Sequence, residues 1–170
     1  MIIIGYQGIG KSTLANSNPK YIDLESSHFF VDGERPQGWH VVYCKIARSL
    51  SEQGYHVFMS SHKVVRDYIA EAYPNVETVV VYPSLALKDE WIQKLRERYE
   101  STQLLKDFKA WKNAEDSYEQ NITELSEQSG LTRISICAMN YNLDAMLSDY
   151  REGRVRSFME ARRNNLQEST

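Results

Sequence analysis

Two cysteines and four prolines in 170 residues leave little material for a disulfide framework or for proline-rich linkers. Cys44 and Cys137 both lie in apolar stretches, which reads as buried free thiols rather than a bridge or a metal pair, and points to a reducing compartment. The prolines are scattered at expected element boundaries. No apolar run approaches the length needed to cross a bilayer, and a glycine-rich loop begins within a few residues of Met1. No cleavable leader and no membrane partner are therefore expected, and the expected location is the cytoplasm. Neither sign of charge dominates. A formal net charge of −3 and a pI near 5.8 give no broad footprint for duplex nucleic acid, although a local basic cleft stays open, so small anionic ligands are the simpler expectation. Internal repeats and low-complexity segments are absent, and the length fits one domain with room for a central sheet.

What is present begins at once. Met1 to Thr13 read MIIIGYQGIGKST, a short apolar run followed by the spacing G-x-x-x-x-G-K-[ST] at Gly5, Gly10, Lys11 and Ser12. That is the pattern of a phosphate-binding loop. Glycines let the backbone curl until its N–H groups converge on an anion, and the positive end of the following helix adds to the attraction. Gly5, Gly8, Ile9, Gly10, Lys11, Ser12 and Thr13 are the expected phosphate-binding residues. Lys11 is expected to reach the β- and γ-phosphates of a nucleotide, and Ser12 to hold Mg²⁺ through its hydroxyl.

Downstream, strands and helices alternate. Residues 20–24 (KYIDL) read as a second strand whose end carries Asp23 and Glu25, and residues 39–53 as a helix with Val42, Ile46, Ala47 and Leu50 on its apolar side. Residues 55–59 (YHVFM) form a third strand ending at Ser60, Ser61 and His62, before a helix with Val65, Tyr68, Ile69 and Ala72 on one side. Residues 77–82 (ETVVVY) are β-branched and apolar, as a parallel strand covered on both faces should be. A charged helix over 88–99 and a longer one marked by Leu104, Phe108, Trp111, Tyr118, Ile122 and Leu125 precede a fifth strand over 132–139, and another helix starts near Leu143. This order predicts an α/β fold with a parallel sheet wrapped by helices on both faces, and ligands at the C-terminal rim of the strands.

The order of parts resembles the small P-loop kinases, the group that contains nucleoside monophosphate kinases, shikimate kinase and gluconate kinase. GYQGIGKST at Gly5 to Thr13 and YIDLESS at Tyr21 to Ser27 carry the resemblance, which covers roughly residues 1–150. It implies a three-layer P-loop NTPase fold of about five parallel strands, a helical lid over about residues 85–128, and a helix or tail of the same domain over 151–170. It further implies that Asp23 lies near Mg²⁺ and the acceptor hydroxyl, and that Glu25 binds or orients the acceptor. Capping of a helix that starts after Ser26 explains the same two acids. Arg96 and Arg98 fall where these kinases carry lid arginines, which makes them catalytic candidates beside Lys11 and Asp23. A solvated helix face with i to i+4 pairing is the alternative for both. Arg66, with Lys63 nearby, falls where an arginine meets the acceptor phosphate, with a surface role as the alternative.

Ser60, Ser61 and His62 replace the acid that many P-loop enzymes carry at this strand end, leaving Asp23 or a water to complete the magnesium shell. His62 is either polar lining or an acceptor contact. Phe29, Phe30, Trp39 and Tyr43 gather where small kinases recognise the acceptor and offer planes for a base, with core packing as the alternative. Met139 to Leu143 fall where the family holds adenine, and a helix cap by Asn140 or Asn142 accounts for them equally. No N-K-x-D run follows a strand, which argues against a GTPase. Arg151, Arg154, Arg156, Arg162 and Arg163 read as a solvated helix or tail that also offers a route to a homodimer. The leading expectation is transfer of the γ-phosphoryl of ATP to a nucleoside or nucleotide with Mg²⁺. Two alternatives stand beside it: a kinase of a hydroxymethylated base in DNA, as in virus-encoded P-loop kinases of DNA hypermodification, and a nucleotide-binding regulatory module without transfer.

Overall fold

A computed structural model describes residues 1–154. It divides into two compact units, Met1–Met139 and the residues from Asn140 onward. The first unit is built on a five-stranded sheet of β1 (Ile2–Gly5), β2 (Tyr21–Asp23), β3 (His56–Ser60), β4 (Thr78–Pro83) and β5 (Thr132–Ile136) in the order β2-β3-β1-β4-β5. All four pairings are parallel, with Gly5 level with Ser60 on one side and Val81 on the other, and Asp23 level with Phe58. Parallel strands need crossovers, and the helices supply them: α1 (Lys11–Ser17), α2 (Trp39–Glu52), α3 (Lys63–Ala72), α4 (Lys88–Thr102) and α5 (Leu105–Ser126). The result is the three-layer α/β arrangement expected from the sequence, consistent with a P-loop NTPase-like fold.

The burial of each strand follows its place in the sheet. Ile2, Ile3, Ile4, Val57, Phe58, Met59, Val79, Val80 and Val81 are fully buried, because β1, β3 and β4 are covered on both faces. Each such side chain contributes roughly 1.5–3 kcal/mol relative to exposure. β5 lies at the edge, and of its residues only Ile136 is buried. The strand stops there, so Cys137 is exposed, correcting the expectation that both thiols are buried; Cys44 is buried as expected, and burial pushes its thiol up to about 12.

The helices depart from their expected faces in two places. In α2 the buried residues are Tyr43, Cys44 and Ala47, while Val42 and Ile46 are exposed. The apolar side assigned from Val42 and Ile46 was therefore rotated by about one residue, or about 100°. In α5 the backbone at Ser117 is non-helical (φ −143°, ψ 23°), and the kink changes the phase of the helix. Tyr118, Ile122 and Leu125 are buried beyond it, while Leu104 and Phe108 before it are exposed.

In the second unit residues 143–154 are helical, and Asn142 Oδ1 accepts the Ala145 N–H at 3.0 Å, so the capping alternative for Asn142 holds. Arg156, Arg162 and Arg163 of the proposed tail lie outside the described residues. Among the described residues no helix is long and apolar enough to cross a membrane.

Candidate active site

In this sheet order the crossovers leaving β1 and β3 run to opposite sides, so a crevice opens at the C-terminal end of β1. The glycine-rich loop fills it. Ile9 is 1% exposed and plugs the loop into the core; a Cβ at Gly5 would collide with the end of the Ile9 side chain, so glycine at this position makes room for that plug. Gly8 combines a φ of +84° with a close approach to α4, since a Cβ would lie 2.9 Å from Leu95 Cδ2. Trp91, fully buried on α4, donates from Nε1 to the Gln7 carbonyl at 3.0 Å. The loop is thus clamped between the sheet and the helices of the expected lid region, where α4 and α5 pack on one another.

The Lys11 ammonium curls back over the loop, donating to the carbonyls of Gly5 (2.9 Å) and Tyr6 (3.1 Å). Burial lowers its pKa to about 8, against the opposing pull of Asp23 and Glu25. The exposed Ser12 hydroxyl donates to Asp23 Oδ2 at 2.5 Å, which joins the start of α1 to the end of β2. Tyr43 holds that strand end in place: its hydroxyl donates to the Leu24 carbonyl at 2.6 Å and accepts the Ser60 N–H at 2.9 Å. Burial pushes the phenol up to about 12, so it stays a proton donor.

Two cavities meet at Lys11. One, of about 290 Å³, is lined by Gly8, Gly10, Lys11, Ser12, Thr13 and Arg98, and by residues at the α4–α5 junction. Arg98 is held there by the buried Asp107 at 2.8 Å, and Asp107 also accepts the Thr102 hydroxyl at 2.6 Å. Arg96, two residues away and so on another side of the helix, pairs with Glu100 at 2.8 Å in the open and does not line this cavity.

The other cavity, of about 330 Å³, runs from Gly5, Gln7 and Lys11 past Ser60, His62, Lys63 and Arg66 to Asn113, Asn121 and Glu124 on α5. His62 meets the edge of Trp39 at 5.5 Å, and its Nε2 lies 3.4 Å from Ser26 Oγ. Burial, reinforced by Arg35, Arg66 and Lys11, lowers its pKa to about 4, so the ring is neutral at pH 7. Arg66 is 4% exposed and committed to the protein: it donates to the Ser61 carbonyl, to Gln128 Oε1 at 2.8 Å, and lies 3.6 Å from Glu124.

Of the remaining candidates, Phe29 packs on Tyr43 (5.2 Å) and Trp39 (6.1 Å) in an aromatic cluster outside both cavities. Glu25 is half-buried at the head of the short turn Ser26–Phe29, where its side chain makes no capping bond.

Several residues in and beside the site carry no local signal in the sequence. Arg35 lies over the Phe30 and Trp39 rings at 4.6 and 4.3 Å and donates to Ser26 at 3.0 Å, from a loop with no pattern to announce it. Gln7, Asn113 and Asn121 meet over a sequence separation of more than a hundred residues. The only available signal was a polar x inside the loop motif. No family model matches the chain, and no curated protein matches it.

Proposed function

We propose that the protein is an ATP-dependent phosphotransferase that moves the γ-phosphoryl group to a hydroxyl of a nucleoside or nucleotide. The observation that carries this reading is the 2.5 Å contact between Ser12 and Asp23 next to Lys11, the residue at which the two cavities meet. A carboxylate on the loop serine suits a magnesium-bound nucleotide in any P-loop protein. The second cavity, which shares Lys11 with the first, adds the room for a hydroxyl acceptor that phosphoryl transfer requires.

The triphosphate takes the cavity that Arg98 lines. Lys11 exchanges the Gly5 and Tyr6 carbonyls for phosphate oxygens, and Arg98 meets the charge that spreads over the migrating group. The hydroxyl of Ser12 and the carboxylate of Asp23 are hard oxygen donors of the kind Mg²⁺ prefers, and they fit one edge of its shell. Held there, Mg²⁺ would supply charge neutralisation for the phosphates. Asp23, whose Oδ2 accepts from Ser12, takes the proton of the acceptor hydroxyl on Oδ1. The acceptor oxygen then forms its bond to the γ-phosphorus, the bond from that phosphorus to the β,γ-bridging oxygen breaks, and its electron pair leaves with ADP. Clamping of the loop by Trp91 and Leu95 keeps donor and acceptor in line without rearrangement of the sheet.

The test is acceptor-dependent ADP formation with Mg²⁺ and ATP. A rate that rises with nucleoside or nucleotide and saturates is expected. ADP formation indifferent to every hydroxyl acceptor would overturn the reading.

A further inference from the structure

The second cavity distinguishes between the two acceptor classes. The buried cation on its acceptor side, Arg66, is already committed within the protein by the Ser61 carbonyl, Gln128 and Glu124. Lys63 pairs with Asp67 at 2.5 Å in the open, at the outer edge of the cavity. His62 is neutral, and Glu124 places a carboxylate in the same wall. A phosphomonoester entering here would have to strip Arg66 of partners while facing Glu124, and burial makes that exchange costly.

What the cavity offers instead is carboxamide. Gln7 Nε2 donates to the Ala110 carbonyl (2.7 Å) and to Asn113 Oδ1 (3.1 Å), and Asn121 Nδ2 donates to that same Oδ1 at 3.1 Å. Asn121 also bonds the buried Tyr6 hydroxyl, whose ring packs edge-on against Tyr118 at 6.0 Å. Eight residues of straight helix would separate Asn113 from Asn121 by about 12 Å of rise. The kink at Ser117 lies midway between them, and with it the two amides meet. Among the described residues Asn113 Oδ1 is doubly engaged, so the bonding left over is the Asn113 amide N–H₂, a donor, and a lone pair of the Asn121 Oδ1, an acceptor with two lone pairs of which the Tyr6 hydroxyl can take one. Both residues line the cavity.

We propose that this cavity selects an acceptor whose non-reacting part is an uncharged ring edge carrying both a hydrogen-bond donor and an acceptor, as a nucleobase does, with Asn113 and Asn121 as specificity-determining residues, and that it disfavours a phosphomonoester. The proposal rests on the phosphotransferase reading for its name of acceptor, yet the chemistry of the wall stands apart from transfer. A free nucleoside and a base within a DNA strand share this edge. Sugars and small hydroxy acids without one leave the amides unpaired and lose the corresponding binding energy.

The experiment is titration calorimetry of the full chain, loaded with Mg²⁺ and a non-hydrolysable ATP analogue. The probes are thymidine, cytidine, adenosine and guanosine, each beside its 5′-monophosphate, and a single-stranded oligonucleotide containing 5-hydroxymethyluracil. Initial rates with ATP on the same panel accompany the titrations. At least one nucleoside, or the oligonucleotide, should bind at least tenfold more tightly than the matching monophosphate, and rates on the two arms identify which source of the base is used. Asn113→Ala, at an exposed position, should raise the acceptor KM about 10- to 100-fold while the ATP KM stays within twofold. Asn121→Asp should weaken the same probe, because it removes the donor that fixes Asn113. Tighter binding of the monophosphates, no binding of any base-bearing probe, or an unchanged acceptor KM in both variants would overturn the proposal. Binding of a nucleoside with no transfer would leave the cavity assignment standing and remove the phosphotransferase reading instead.

Discussion

The two halves of the crevice are built differently. On the side of the phosphate loop, proposed for the donor, Gly8, Gly10, Lys11, Ser12 and Thr13 belong to one contiguous turn, and Asp23 joins them from the next strand through a single side-chain contact. On the other side, proposed for the acceptor, His62, Arg66, Asn113, Asn121 and Glu124 converge from the segment after β3, from α3 and from the kinked α5. A short motif can shape backbone N–H groups for phosphates because the geometry of a phosphate does not vary. Recognition of an acceptor calls for long-range side-chain placement. The donor half should therefore fail through chemistry when altered, and the acceptor half through specificity or stability.

The largest effect should come from Lys11→Ala, which removes the charge at the centre of both cavities. Transfer should fall by roughly 10³-fold or more in an assay of labelled product. Asp23→Asn should lower kcat by about 10²-fold and leave the ATP dissociation constant within about threefold; equal loss in both would make Asp23 a binding residue only.

On the acceptor side, Arg66→Ala should act first on the fold. Losing a buried guanidinium that satisfies the Ser61 carbonyl, Gln128 and Glu124 should cost about 3 kcal/mol in urea unfolding. A fully stable variant with weakened monophosphate binding would return Arg66 to the role of a phosphate ligand.

The smallest effect is one of pH. The pKa of His62 is lowered from 6.5 to about 4 in the fold, so between those values the unfolded chain binds the extra proton. The stability this neutral ring contributes is complete above pH 6.5 and is lost as pH falls toward 4. Thermal melts of His62→Gln should show a shallower decline over that window than the parent chain. Identical slopes would mean that the ring titrates normally. Lys11 supplies the matching test on the donor side. Its charge in the free protein is lost as pH rises through about 8, so ATP affinity should weaken above that pH.

How far the sequence could be read follows the same division. β1, β3 and β4 were plain because full burial on both faces leaves an unbroken apolar run, as Val79, Val80 and Val81 show. The phosphate loop was plain because its glycines and lysine are adjacent. α2 was read one residue out of phase because Val42 and Ile46 are apolar yet exposed, while Tyr43 turns inward to bridge Leu24 and Ser60. Nothing in the local pattern of α5 marks the break at Ser117, and with it went the meeting of Asn113 with Asn121. The roles of Arg96 and Arg98 could not be separated by position alone. They divide on a contact from another helix, since Asp107 reaches Arg98 while Glu100 takes Arg96.

The proposed role of Lys11, Ser12 and Asp23 as the donor side of a phosphotransferase is tested most directly by incubating the protein with Mg²⁺ and γ-labelled ATP against nucleosides, nucleoside monophosphates and hydroxymethyluracil-containing DNA, with Lys11→Ala and Asp23→Asn in parallel. Label is expected on a base-bearing acceptor, abolished by the first variant and cut about a hundredfold by the second. Tight ATP binding with no label leaving the nucleotide, or transfer that survives both substitutions, would contradict it.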